Sequence, residues 1–319
     1  MEVRPFSGAD LDDAAGLLAD RQAAHRRTQP LLSGRYEDVG AARAQLEAVL
    51  ATAGASGTVA YRDGSLIGYL LGAAKPSAVW GPNVWVEAAG LAVSEAEVAR
   101  DLYAAAAQRW VAEGATAHYA LVPAYDSALV DAWSRLAFGQ QHLHAIRATA
   151  PPDRPIDDDH VIRPARRSDI PQLAALDRVL PAHQGESPVF SPAEAPTLDE
   201  AVAEWEADFD DPAYATFVAE LDGNVVGSSV GTTIEKSSAH TGLARPDNAG
   251  FLGFAAVVPP ARGNGLGRRL GEAVIAWAAE QGHASVVTDW RVTNLLSSRT
   301  WPKLGFTPTF VRMHRVVGY

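Results

Sequence analysis

The chain repeats itself. Val3-Arg4-Pro5 returns as Ile162-Arg163-Pro164, Asp63-Gly64 as Asp222-Gly223, and Gly68 as Gly227, all at an offset of 159. Further on, Gly114 matches Gly282, and Leu136-Ala137-Phe138 matches Leu304-Gly305-Phe306, at an offset of 168. The matches keep their order, so one succession of elements is written twice, with extra residues inserted in the second copy. This constrains the fold strongly, because 319 residues then make two domains of ordinary size. A hydrophobic content of 47% can fill two cores. Between the copies, Ala148 to Asp159 is dominated by proline and aspartate and reads as an exposed linker. We expect a domain over 1–148, a linker over 149–160 and a second domain over 161–319.

Charge and composition narrow the function classes. A net charge of −11 argues against nucleic acid as a partner and leaves a cationic amine open. With no cysteine there is neither a disulfide nor a thiol nucleophile, which fits a reducing cytoplasm. Met1 to Phe6 has no apolar leader and no apolar run approaches membrane-spanning length, so we expect a cytoplasmic protein without a membrane partner. Three lysines among 27 basic residues suggest an arginine-favouring, GC-rich bacterial genome. No His, Asp or Glu cluster has metal-ligand spacing, and no metal is expected.

The chemistry concentrates in the second copy. An apolar strand, Phe251 to Val258, runs into the turn Pro259-Pro260-Ala261-Arg262-Gly263-Asn264-Gly265, and a helix follows with Leu266, Leu270, Val274 and Trp277 on one face. Glycines let backbone N–H groups turn inward, and the helix N-terminus adds its positive dipole end, so the segment can cradle a pyrophosphate. Arg262, Arg268 and Arg269 add charge around it. A nucleoside-triphosphate loop would need Gly-Lys-Ser/Thr, and a dinucleotide loop a third glycine where Arg268 stands. Arg262-x-x-Gly265-x-Gly267 fits neither.

It resembles the acyl-coenzyme A loop of the GNAT superfamily of N-acetyltransferases. Downstream, Gly282 ends the helix and Ser285 to Thr288 reads as the next strand. Then Asn294-Leu295-Leu296-Ser297, continuing to Lys303-Leu304-Gly305-Phe306, is similar to the family's Asn-x-x-Ala and Lys-Leu-Gly-Phe segment. The resemblance covers roughly residues 160–319 and implies an α/β (α+β) architecture of two tandem GNAT-like domains, each a mixed central sheet flanked by helices. It also implies acetyl-CoA as cosubstrate, lying between two splayed strands. Ala256, Val257, Val258, Arg262, Gly263, Asn264, Gly265, Leu266, Gly267, Arg268, Asn294 and Ser297 are the cofactor-binding candidates.

The first copy lacks that cradle. Its strand, Val86 to Val93, runs straight into Ser94-Glu95-Ala96-Glu97, whose spacing predicts a capping box instead. The second copy also departs from the family, with Trp301 where a tyrosine acid is usual. Pro302 disfavours helical geometry at Trp301, and core packing is its expected role. Asp289, after the strand, is the candidate base. His183, in the loop Leu180 to Gly185, and Trp290 are candidate acceptor-site residues, and His25 is placed like His183 in the first copy. Leu198 to Phe209 reads as an amphipathic helix whose acidic face could attract a cation. The reading is an acetyl-CoA-dependent N-acetyltransferase in which a small amine attacks the thioester directly. Transfer of another acyl group, or a catalytically silent acyl-CoA sensor, are the alternatives, and a homodimer is left open.

Overall fold

A computed structural model describes residues 1–76, 78–149, 161–191 and 194–318. The predicted linker lies almost wholly outside the described residues. The chain packs as two compact units. One comprises Met1–His144, Thr241–Asp247 and Pro308–Tyr319; the other comprises Ala145–His240 and Asn248–Thr307. Packing therefore assigns the end of the second copy to the first unit.

The first half of the chain runs β1 (Glu2–Pro5), α1 (Leu11–Thr28), α2 (Val39–Leu50), β2 (Ser56–Arg62), β3 (Ser65–Gly72), β4 (Asn83–Val86), β5 (Leu91–Val93), α3 (Val98–Ala112), β6 (Ala117–Pro123), α4 (Ser127–Ser134) and β7 (Gly139–Ala148). Strands β1, β2, β3 and β5 form an antiparallel sheet, with Val3 opposite Ala60 and Gly68 opposite Val93. One core, with Leu70, Leu102, Trp110, Trp133 and Phe138, lies under α3 and α4. Another, with Leu18, Leu46, Tyr69 and Leu71, lies under α1 and α2.

The second half runs β8 (Ile162–Pro164), α5 (Ile170–Asp177), α6 (Val179–Gly185), α7 (Leu198–Asp208), β9 (Tyr214–Leu221), β10 (Asn224–Thr233), β11 (Ala249–Val257), α8 (Leu266–Glu280), β12 (Ser285–Arg291), α9 (Leu295–Thr300) and β13 (Thr307–Val316). Strands β8 to β12 follow in order, antiparallel from β8 to β11, with β11 and β12 parallel. Helix α8 packs across β9, β10 and β11. Its side chains press into glycines: a Cβ on Gly231 would come within 2.8 Å of Val274. Strand β13 pairs with β6 inside the first unit, with Val311 opposite Val122.

The repeat is visible in geometry. Arg4 grips Asp10, and Arg163 grips Asp169 at 2.7 Å, each pair tying the first strand of its copy to the first helix. Asp63 and Asp222 both take positive φ, 52° and 50°, each followed by a left-handed glycine, as an Asp-Gly hairpin turn requires. Gly114 and Gly282 end equivalent helices at φ 93° and 78°. Ala137 adopts φ 63° where the second copy has Gly305 at 84°.

Two expectations about the first copy are corrected. Residues 86–93 are two strands, because the chain breaks over 87–90, where the Tyr69 hydroxyl donates to Ala89 O and the Arg21 guanidinium donates to Ala88 O. The Ser94–Glu97 capping box does not form. Ser94 Oγ donates to Ile67 O, and Glu97 makes no side-chain cap bond and instead pairs with Arg100 and Arg135.

Candidate active site

Strands β11 and β12 part in the middle of the second unit. Their register runs from Ala249 opposite Ser285 to Leu252 opposite Thr288 and then stops, although β11 continues to Val257 and β12 to Arg291. A bulge marks the parting: Val230 faces Phe254 and Gly231 faces Leu252, so Gly253 is the extra residue. A bulge bends its strand, which here turns β11 away from its parallel neighbour. Past Leu252, alternate N–H groups of β11 lie on an edge that no strand among the described residues covers.

The glycine-rich turn completes the opening. After β11 a 3-10 turn, Pro259–Ala261, leads to Gly263 at φ 88° and Gly265 at φ 77°, the latter capping α8. An ideal Cβ at either glycine meets nothing within 4 Å, so both conformation and open space fit a cradle for an approaching group. Arg262 is fixed by its own strand, its Nε donating to Val257 O at 2.9 Å.

A cavity of about 460 Å³ joins these parts. One wall is Ala255, Ala256 and Val257 of β11, and its mouth is formed by Arg262, Gly263, Gly265, Leu266, Gly267 and Arg268. Facing them are Asn294, Leu296, Ser297, Arg299 and Thr300, with Trp301 and Lys303 beyond. Helix α6 closes it with Val179, Leu180 and His183. The two segments singled out in the sequence thus border one space.

Comparison with known proteins agrees. Residues 179–306 match the model of the acetyltransferase (GNAT) family. The match lies wholly within the second half of the chain and takes in both the glycine-rich turn and the Asn294–Phe306 segment. No curated protein sequence matches the chain. A GCN5-related N-acetyltransferase from Sphaerobacter thermophilus superposes over 100% of this chain and 96% of its own, with 15% identity and a TM-score of 0.53, so the GNAT fold extends over both halves. A tandem GNAT protein from the clavulanic acid biosynthesis pathway aligns over 100% of this chain and 99% of its own, with 16% identity and a TM-score of 0.47. An aminoglycoside N-acetyltransferase determined with CoA aligns over 50% of this chain and 91% of its own, with 23% identity and a TM-score of 0.37. No helix among the described residues is long and apolar enough to cross a membrane.

Most of the GNAT cofactor candidates line the cavity, but Val258 and Asn264 do not. The N–H of Val258 is taken by Val226 O at 2.9 Å, within the sheet. Asn294 is buried, and its Oδ1 accepts from the N–H groups of Leu296 and Ser297, holding the start of α9. His183 is helical, in α6, and not in a loop; its Nε2 lies 3.3 Å from the same Asn294 Oδ1. Because that oxygen only accepts, Nε2 donates in this contact, which leaves Nδ1 as the acceptor of the neutral ring. Asp289 and Trp290 are inside β12, which runs to Arg291, and neither lines the cavity. Trp290 is buried with its indole N–H unpartnered. His25 lies in α1 and is wholly buried.

Trp301 corrects one local expectation. It adopts helical φ −65° and ψ −40°, although Pro302 follows, because its N–H bonds Ser297 O and its carbonyl receives the N–H groups of Leu304 and Phe306. The side chain is buried against Gly271 of α8, where a Cβ would come within 3.0 Å of the indole. In the first copy Trp133, at the offset of 168, is fully buried and packs edge-on against Phe138 as Trp301 does against Phe306. That pairing was available in the sequence and bears directly on the role of Trp301. Leu180, Arg299 and Lys303 line the cavity too but were not site candidates, since nothing local marks their side chains as facing it.

Proposed function

We propose that the chain is an acetyl-CoA-dependent N-acetyltransferase whose second half binds the cosubstrate and acylates a small amine. The observation that carries this reading is the single cavity bordered by both Arg262–Arg268 and Asn294–Ser297 where β11 and β12 part. The residues fit coenzyme A: two left-handed glycines with open space beside them, the N-terminus of a 15-residue helix, and the cations Arg262, Arg268, Arg299 and Lys303 around a wall of small apolar residues. When bound, the cosubstrate supplies an activated thioester carbonyl.

The remaining work falls to residues of this chain. The exposed N–H groups of β11 beyond Leu252 hold a carbonyl oxygen and stabilise negative charge on it, without reorganising during reaction. Ala255 and Ala256 leave room for the chain beside them. His183 is the ionisable side chain on the α6 side of the cavity, and with Nε2–H held by Asn294 its Nδ1 can accept a proton from an ammonium acceptor. Trp301 packs, so the leaving thiolate, with an ordinary pKa of about 8.5, takes its proton from solvent. A screen of amines with acetyl-CoA, read by free-thiol release and by mass of the product, tests the reading. Acetylated amine supports it. Tight CoA binding with no transfer to any amine would leave the silent sensor in its place.

A further inference from the structure

The first unit buries a guanidinium without a counter-ion. Arg21, on α1, is 8% exposed, and its Nη1 donates to Ala88 O at 2.6 Å and to Leu91 O, bridging the break between β4 and β5. Its Nε and Nη2 are buried and make no hydrogen bond. Among the described residues no carboxylate pairs with it; the groups acting on its charge are the phenols of Tyr69 and Tyr125, whose own pKa values burial raises. Beside it, His25 packs at a tilt against Tyr125, ring centroids 4.7 Å apart, and edge-on against Phe310 at 4.9 Å. The backbone of Thr309 is the polar group that acts on its ring. Burial, with the charge of Arg21 adding to it, holds His25 neutral with its pKa down to about 3. Gln22 donates to Ser33 O.

The free edge of Arg21 has a definite shape. Nε–H and Nη2–H point the same way from a planar group, the fork that takes two oxygens of a carboxylate or a single halide between them. Binding Nη1 to two carbonyls fixes the plane and leaves that fork fully formed. A desolvated cation with open donors is costly unless an anion completes it. The place also has a history in the repeat. At the offset of 159, Arg21 corresponds to Leu180, which lines the second-half cavity. Gly68 faces Val93 as Gly227 faces Val257, so Leu91 corresponds to Ala255 of the same cavity wall. The first copy has put a cation where the second leaves room for an acyl group.

We propose that the first unit carries a buried site for one small monovalent anion, chloride or a one- or two-carbon carboxylate, held by Nε and Nη2 of Arg21. The site is independent of the acetyltransferase assignment. Crystals of the full chain grown with sodium bromide should show an anomalous peak within hydrogen-bond reach of Nε and Nη2. In solution, chloride or formate should raise the unfolding midpoint by about 2–4 °C over equal ionic strength of gluconate, which is too large for a buried site. Arg21→Met should respond equally to all three salts. A response to formate but not to chloride identifies a carboxylate ligand; the reverse identifies a halide. If Arg21→Met does not fold, the wild-type peak and the chloride, formate and gluconate series decide alone. No peak together with the same midpoint in all three salts would overturn the proposal.

Discussion

Gly265 shows how one residue can separate binding from folding. It sits at φ 77° with nothing within 4 Å of where a Cβ would go. A side chain there costs about 1–2 kcal/mol of backbone strain but collides with no protein atom. Gly265→Glu should therefore lower the unfolding midpoint by a few degrees and abolish coenzyme A binding, because a carboxylate would stand where the pyrophosphate approaches. Calorimetry on the folded variant checks it, and unchanged affinity would remove the pyrophosphate assignment. His183 and Asp289 make a complementary pair. His183→Ala should reduce turnover about a hundredfold with coenzyme affinity kept, and the loss should shrink as pH rises and the amine deprotonates unaided. Asp289→Asn, outside the cavity, should retain turnover within severalfold. The opposite pattern in steady-state rates would hand the proton to Asp289.

At the scale of elements, a polar contact ties α7 to α5. The Trp205 indole N–H donates to Asp177 Oδ2 at 2.6 Å. Burial pushes the Asp177 carboxyl up to about 6, with Glu204 adding to the rise and the indole bond opposing it. A carboxyl with its folded pKa above the ordinary 3.8 favours the protonated folded state. Its contribution is complete below about pH 4 and is lost as pH rises through 6. Asp177→Asn keeps an acceptor for the indole and cannot ionise, so its unfolding midpoint should exceed wild type at pH 7 and converge with it near pH 4. A wild-type pH profile in the variant would show that the carboxyl is already solvated. Elements of this kind were partly legible. Gly282 and the 3.6-residue apolar spacing fixed α8 to within two residues of its end at Glu280. The break at 87–90 was not, because it depends on Arg21, 67 residues away from Ala88, reaching a carbonyl. Likewise His183 and Asn294 are 111 residues apart, and no local pattern announces their meeting. The helical Trp301 was misread because tertiary packing on Gly271 outweighs the local preference imposed by Pro302.

Over the whole chain, fold and chemistry follow different symmetries. The duplicated Arg–Asp clips, Asp-Gly turns and buried tryptophans recur in both copies, since each serves packing that every copy needs. The site does not recur. After β5 the chain reaches α3 through Ser94 to Glu97, with no left-handed glycine, whereas Gly263 and Gly265 precede α8. Arg21 also donates to the carbonyl of Leu91, whose counterpart Ala255 borders the open cavity. Under the proposed function, both the glycine turn that would cradle phosphate and the small-residue wall that would border the acyl group are unmatched in the first copy, and losing either would be enough to weaken binding severely. We expect one coenzyme A per full chain by titration calorimetry. Arg21→Ala should not create a second site, because removing the side chain restores the space but not the glycine turn. Two equivalent sites per wild-type chain, or a second site in Arg21→Ala, would show that the first copy binds the cofactor by residues other than those matching the second.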